Sequence, residues 1–311
     1  MSRSMALLPF GVFLLACASR PAEPAATEPA APRVACQEVD TSIPPEILSY
    51  EEGGVTIHSF IAPEHSAGSA SHIIETNEGL VVIDTQLFRG YAEQFRDYAD
   101  GLGKPISHVI VSHGHPDHYF GLEYFEDRPT YAMAETRLDM KQRHRFHLRM
   151  HRETEAECEA VTDRVRFVDD DLVLGPQTIG GVDLVFERVL DAEDNDQLVV
   201  RIPAAKTLIL QDLMATDVHG FTAAGMIDGW IERLRPYEAA TEYTHILAGH
   251  GRPVGREGIT EMITYLETSQ RIFDEVDTGE EFLAAMHEAF PDRGGQYLVE
   301  LMAKMKFEQE S

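Results

Sequence analysis

Val109-Ile110-Val111 is a run of β-branched residues that reads as a short buried strand, and it leads straight into Ser112-His113-Gly114-His115-Pro116-Asp117-His118. Four side chains of metal-ligating type, His113, His115, Asp117 and His118, therefore follow one another within a few positions. Successive side chains of a strand point to opposite faces, so ligands this dense converge only where the strand gives way to an irregular loop. Gly114 and Pro116 turn the backbone there. Such a constellation points to a metal centre rather than to a polar loop that happens to hold histidines.

Three other apolar runs end in a residue of the same kind. Leu80-Val81-Val82-Ile83 ends in Asp84-Thr85, Leu208-Ile209-Leu210-Gln211 in Asp212, and Ile246-Leu247-Ala248-Gly249 in His250. Taken singly, an acid that closes a strand is a turn former or a helix cap. In this order behind the His113 to His118 loop, the set resembles the metallo-β-lactamase superfamily over residues 50–255. The resemblance implies a four-layer αββα sandwich, an α/β fold with the metals at one edge of its two sheets. It implies that Asp84 orients the ligands from behind, that Asp212 bridges two metals, and that Asp117, His118 and His250 serve the second of them.

One position departs from the family pattern, which places a third histidine for the first metal in a turn before a strand. Counting back from Leu198-Val199-Val200-Arg201-Ile202, that turn is residues 191–196 and holds no histidine. Glu193 stands at the expected place, with Asp191 and Asp194 as neighbours that can substitute. Either Glu193 ligates, which favours harder metals such as manganese or iron and raises the pKa of a bound water, or this is a solvated acidic turn and the first metal is held weakly. His219, in the loop after Asp212, is a further candidate for the missing ligand or for an oxyanion donor, against the plainer reading of a loop histidine.

The N-terminus carries Arg3 and then an apolar stretch, Ala6 to Ala16, too short to span a bilayer as a helix; residues 1–16 read as a secretory signal. Leu14-Leu15-Ala16-Cys17 resembles a bacterial lipobox, which predicts a lipid on Cys17, anchorage on the periplasmic side of the membrane, and outer-membrane delivery from Ala18. Secretion is the alternative. Ala and Pro dominate residues 18–35 without apolar periodicity, so residues 17–49 are read as a tether. The chain has 26 basic and 53 acidic side chains, a formal net charge of −27. That imbalance excludes a phosphate-backbone footprint and hence nucleic acid as substrate, and suits an exported protein that must stay soluble. With Cys17 assigned to lipid, Cys36 and Cys158 form a candidate disulfide in an oxidising compartment.

From Gly54 onward the chain reads as a packed domain. Residues 55–60 and 71–76 alternate as half-buried strands, and residues 90–102 form an amphipathic helix with Tyr91, Phe95, Tyr98 and Leu102 on one stripe, stopped by Gly103 and Pro105. A second sheet is expected from strands near 166–168, 171–174, 182–190, 197–202 and 207–210. Residues 256–311 turn helical, over about 257–275, 280–290 and 295–307, as an extension packed on the sandwich. Trp230 anchors a helix in the core. Residues 141–152 hold five basic side chains and no acid. They form either a lid that attracts a carboxylate-bearing substrate or a solvated face paired with Glu153, Glu155, Glu157 and Glu159.

Two divalent ions, zinc by the resemblance, would lower the pKa of a shared water to about 7 and supply hydroxide without a separate base. The expected function is hydrolysis of an ester, lactone, thioester or amide of a small molecule by a metal-bound hydroxide, with Asp117 also receiving the proton released on attack. The alternatives are a β-lactamase, a persulfide dioxygenase with a single iron, and a binding lipoprotein with a decayed first site.

Overall fold

The computed structural model describes residues 38–154, 157–222 and 226–307. The residues read as a signal, the candidate lipid site Cys17 and Cys36 lie outside the described residues. Two sheets carry the fold. The first has the order β1 (Glu46–Glu52), β2 (Val55–Ile61), β3 (Ala70–Glu75), β4 (Leu80–Ile83), β5 (Ile106–Val111), β6 (Thr130–Ala132), β7 (Asp170–Asp171). Neighbours are antiparallel as far as β4 and parallel beyond it. The second sheet is built of β8 (Gly175–Ile179), β9 (Val182–Leu190), β10 (Asp196–Ile202), β11 (Thr207–Ala215) and β12 (His245–His250) in sequence order, antiparallel except for the parallel β11–β12 pair.

The apolar strands sort their side chains into three layers because alternate residues face opposite ways. Ile110 of β5 and Ile83 of β4 join Leu198, Val200, Ile209 and Leu247 in a core between the sheets. Val109 and Val111, their neighbours in sequence, face the other side and pack with Phe95 of α1 (Arg89–Gly101) and with Tyr119 of the short α2 (Pro116–Tyr119). Leu208, Leu210, Ile246 and Ala248 form the third layer beneath α4 (Ile227–Ala239) and α5 (Glu257–Glu275), which follow α3 (Ala134–Arg149) along the chain. The result is the expected αββα sandwich. Trp230 of α4 is buried in that third layer and donates its indole N–H to the Leu213 carbonyl at 3.0 Å, an anchor as its sequence context suggests. The C-terminal extension continues with α6 (Gly279–Ala289), opened by a capping box in which Thr278 and Glu281 satisfy each other's backbone, and α7 (Gln296–Phe307).

Three expectations are corrected. The structured part begins before residue 50: β1 is an edge strand with mostly exposed side chains, so it carries little apolar signal, yet Glu46 already stands opposite Ile61 of β2. No strand forms at 166–168, and the next one belongs to the first sheet, because Asp169 accepts hydrogen bonds from the backbone and hydroxyl of Thr130 and draws β7 against β6. The edge of the second sheet is β8, since Val173 and Leu174, 68% and 41% exposed, are turned out to solvent.

The basic segment 141–152 is a solvated face only in part. Its helix, α3, starts earlier, at Ala134, and passes into a wider turn after Arg149. Lys141, Arg145 and Arg149 are exposed to solvent, but Arg143 turns inward to Asp139 and Asp194, and His147 is buried against the hydroxyl of Tyr119 at 3.0 Å. Burial pulls the His147 imidazole down to about 3, so it is neutral. Of the acids expected as its partners, Glu157 meets His151 at 2.6 Å, and Glu155 lies outside the described residues. Cys158 is disulfide-bonded.

Candidate metal centre

Residues at or near the strands of both sheets deliver the chemistry. Asp84 follows β4, the loop from His113 to His118 follows β5, Glu193 sits in the turn between β9 and β10, Asp212 lies within β11, and His250 closes β12. Asp212 departs from regular strand geometry because Gln211 before it has a φ of 45°, and the pairing with β12 shifts register there. Gly249 lies against it: a Cβ at that position would stand 1.9 Å from Asp212 Oδ1.

Two groups of ligand-type atoms result. His113, His115, Glu193 and Asp212 converge in one, and Asp117, His118 and His250 in the other. Asp212 Oδ2 joins them, at 3.4 Å from His113 Nε2, 3.2 Å from His118 Nε2 and 3.3 Å from His250 Nε2. His113 Nε2 and His115 Nδ1 are 3.1 Å apart, and His115 Nδ1 lies 3.4 Å from Glu193 Oε1. Asp117 Oδ2 completes the second group at 3.3 Å from His118 Nε2 and 3.4 Å from His250 Nε2.

The far side of each ring decides what these nitrogens can be. His250 Nδ1 faces the Ala67 carbonyl at 3.0 Å, and a carbonyl only accepts, so Nδ1 carries the proton. His118 Nδ1 donates to Asp84 Oδ2 at 2.8 Å for the same reason. Ser112 gives its one hydroxyl proton to Asp84 at 2.7 Å and therefore accepts from His113 Nδ1 at 3.0 Å. In the neutral rings, then, three Nε2 lone pairs point at one carboxylate oxygen, Asp212 Oδ2, with no hydrogen between them. Asp212 Oδ1 is likewise buried with no hydrogen bond. Acceptors held face to face in a buried volume need a cation. Their spacing suits one, because ligands about 2.0–2.1 Å from a tetrahedral ion stand about 3.3 Å from each other.

The acid–base balance agrees. Burial opposes charge on His115 and His250, yet the carboxylates of Glu193 and Asp212 around His115, and of Asp212 and Asp117 around His250, outweigh it and raise each to about 9. Protons occupy the places of the cations, so metal uptake near neutral pH must release them. Glu193 is pushed up to about 8 by burial and by the neighbouring Asp212 and Asp194. It is the group most in need of a positive partner.

Asp84 supports this arrangement from behind. It has the left-handed φ of 62°, accepts from the backbone N–H and hydroxyl of Ser112 and from His118, and contacts Gln211 Nε2. Of the four carboxylates in the turn 191–196, Glu193 enters the site, held by Gln197 Nε2 at 2.6 Å, whereas Asp194 points to Arg143, Asp196 pairs with Arg188 and Asp191 stays at the turn's mouth. His219 is not among these ligand groups: it lies against Tyr265 and Gln296. Sequence reasoning missed Gln197, Gln211 and Arg143, whose side chains matter only through contacts made across the fold.

Residues 67–250 match the metallo-β-lactamase superfamily. The chain belongs to that superfamily. Solved metallo-β-lactamases share its fold at low identity. The enzyme from Pontibacter korlensis has 18% identity and a TM-score of 0.54, covering 71% of this chain and 99% of its own. DIM-1 metallo-β-lactamase exposed to ceftazidime has 16% identity and a TM-score of 0.56, with 73% and 98% covered. FIM-1 from Pseudomonas aeruginosa, in a mono-zinc form, has 19% identity and a TM-score of 0.51, with 72% and 96% covered. No curated protein matches the chain in sequence. In the first pocket, among the described residues, two carboxylates, Glu193 and Asp212, stand beside two imidazoles, His113 and His115.

Proposed function

We propose that this protein is a metal-dependent hydrolase of a small-molecule ester, lactone, thioester or amide. The observation that carries the reading is Asp212 Oδ2, one buried carboxylate oxygen within 3.4 Å of imidazole nitrogens from both ligand groups. His113, His115, Glu193 and Asp212 would hold one divalent cation, and Asp117, His118, His250 and Asp212 the other. Such a pair supplies a hydroxide near neutral pH and a Lewis acid for the carbonyl oxygen.

The chain's own residues do the rest. Asp84, Ser112 and the Ala67 carbonyl fix the tautomers of His118, His113 and His250, so no reorganisation is needed at the moment of reaction. His113, His118 and Glu193 are buried, while the side chains of His115, Asp117 and His250 keep 21%, 17% and 16% of their surface open. Substrate therefore approaches along these three. Asp117 is the open carboxylate on that face, placed to take the proton released on attack, and the Ser69 hydroxyl stands 3.4 Å from its Oδ2.

The test is elemental analysis of the purified domain followed by a panel of esters, lactones, thioesters and amides with the metal it carries. Two ions per chain and turnover are expected, and His115→Ala should lose both the first ion and the activity. A wild-type rate in that variant would remove the mechanism. Lactam hydrolysis is the narrower version suggested by the likeness to β-lactamases, and the same panel includes a lactam. One observation favours a second reading: two imidazoles with carboxylates form a donor set suited to iron, which supports oxygenase chemistry. A single iron per chain with oxygen uptake would decide for it.

The proposed setting is the periplasmic face of a membrane, with the domain anchored through a lipid on Cys17; this rests on the sequence alone. Cys17→Ala is expected to move the protein from the membrane to the soluble fraction of a cell lysate and to abolish incorporation of labelled fatty acid. Retention in the membrane without label would remove the lipid assignment.

A further inference from the structure

The turn that presents Glu193 is short, acidic and tied down by few backbone bonds, yet it must hold its carboxylate against two imidazoles and another acid. Its own contacts are Asp191 N–H to the Asn195 carbonyl and Ala192 N–H to the Asp194 carbonyl, both 3.2 Å. Gln197 holds the Glu193 side chain itself, at 2.6 Å, and the neighbouring Asp194 needs a second contact from outside the turn.

α3 supplies that contact. The Arg143 guanidinium donates through Nη2 to Asp194 Oδ2 at 2.7 Å and through Nε to Asp139 Oδ2 at 2.7 Å. Asp194 is the residue after Glu193, and its Oδ2 lies 3.8 Å from His115 Nε2. Asp139 reaches the other wall of the same pocket. It lies over Gly114, where a Cβ would stand 1.9 Å from Asp139 Oδ2 and 3.2 Å from Arg143 Nη2. One guanidinium thus connects the His113–Gly114–His115 loop with the turn 191–196, segments far apart in sequence. A cavity beside the first ligand group is lined by Gly114, Asp139 and Asp194 from these contacts, together with Gln142.

The electrostatics give the contact a purpose. With Glu193 where an imidazole would be neutral, the first group already holds two carboxylates, and Asp194 brings a third to its edge. Asp194, only 9% exposed in its side chain, has the Arg143 guanidinium at 2.7 Å and His115 Nε2 at 3.8 Å. Without Arg143, Asp194 would be left with His115 as its nearest cationic partner and would compete for a side chain needed in the pocket. Arginine suits the task because its planar fork serves two carboxylates at once, which a lysine ammonium does not do with fixed geometry.

We infer that Arg143 is a positioning residue for the first cation pocket: by bridging Asp139 and Asp194 it holds Glu193 in ligating position and keeps His115 free to bind. This rests on the reading of Glu193 as a ligand. The experiment loads the metal-free protein stepwise with cobalt(II), following visible absorption and competition with a chromophoric chelator, for wild type, R143M, R143K and E193Q. R143M is expected to weaken the first pocket about 10–100-fold and alter its cobalt spectrum while the second pocket keeps its affinity. R143K, which retains charge but loses the fork, should fall between. Wild-type affinity and spectrum in R143M would overturn the inference, as would an equal loss at both pockets. If E193Q leaves the first pocket unchanged, the ligand reading of Glu193 fails and takes the inference with it. If E193Q weakens the pocket and R143M does not, only the role of Arg143 is lost.

Discussion

Asp212→Asn is expected to empty both cation pockets at once and to reduce hydrolysis by about 1000-fold or more, beyond the ~100–1000-fold that loss of a single oxyanion donor costs. The substitution preserves shape, so the effect isolates charge. In the native protein one oxygen, Oδ2, faces His113, His118 and His250 within 3.4 Å. An amide offers there either a neutral carbonyl, a weaker ligand, or an NH2 that drives a hydrogen into the space reserved for the cation. Elemental analysis after gel filtration reads the outcome directly. A variant that retains two ions per chain would show that the two groups of ligands are independent sites.

Asp84→Ala should cost the metal-free domain about 3–5 kcal/mol, the penalty for removing one partner of a buried charged network. Asp84 is fully buried and accepts from Ser112 twice and from His118. Alanine leaves those donors without partners and adds about 1 kcal/mol for holding a Cβ-bearing residue at a φ of 62° without a polar side chain to support it. For a domain of this size the melting temperature should fall on the order of 10 °C. Asp84→Asn keeps the left-handed backbone and should lose less. The difference between the two variants in thermal unfolding separates backbone strain from lost acceptors, and equal, small losses in both would show that Asp84 does not organise the fold behind the ligands.

The parts of this centre differ in how far the sequence reveals them, and the reason is range. His113, His115, Asp117 and His118 are neighbours along the chain, so their convergence needs only a strand end and a turn. Asp84, Asp212 and His250 each close an apolar run, and their order along the chain identifies them. Glu193 is harder, because nothing local separates it from Asp191 and Asp194; β10 fixes the register of the turn, and Gln197 and Arg143 select which carboxylate enters. Arg143 itself looks like one more base on a basic helix, and only packing shows that it faces inward while Lys141, Arg145 and Arg149 face water. The same holds for β1 and β7: one is an exposed edge, the other two residues long, and pairing rather than composition makes them strands.

Asp84 and the His113 to His118 loop are carried by the first sheet, Asp212 and His250 by the second. The centre therefore lies across the seam of the sandwich, where ions bound to both halves would act as rivets between them. Stripping them should leave each sheet intact but let the mouth between them breathe, so that the edge that gathers the ligands is also where the architecture is least able to hold itself closed.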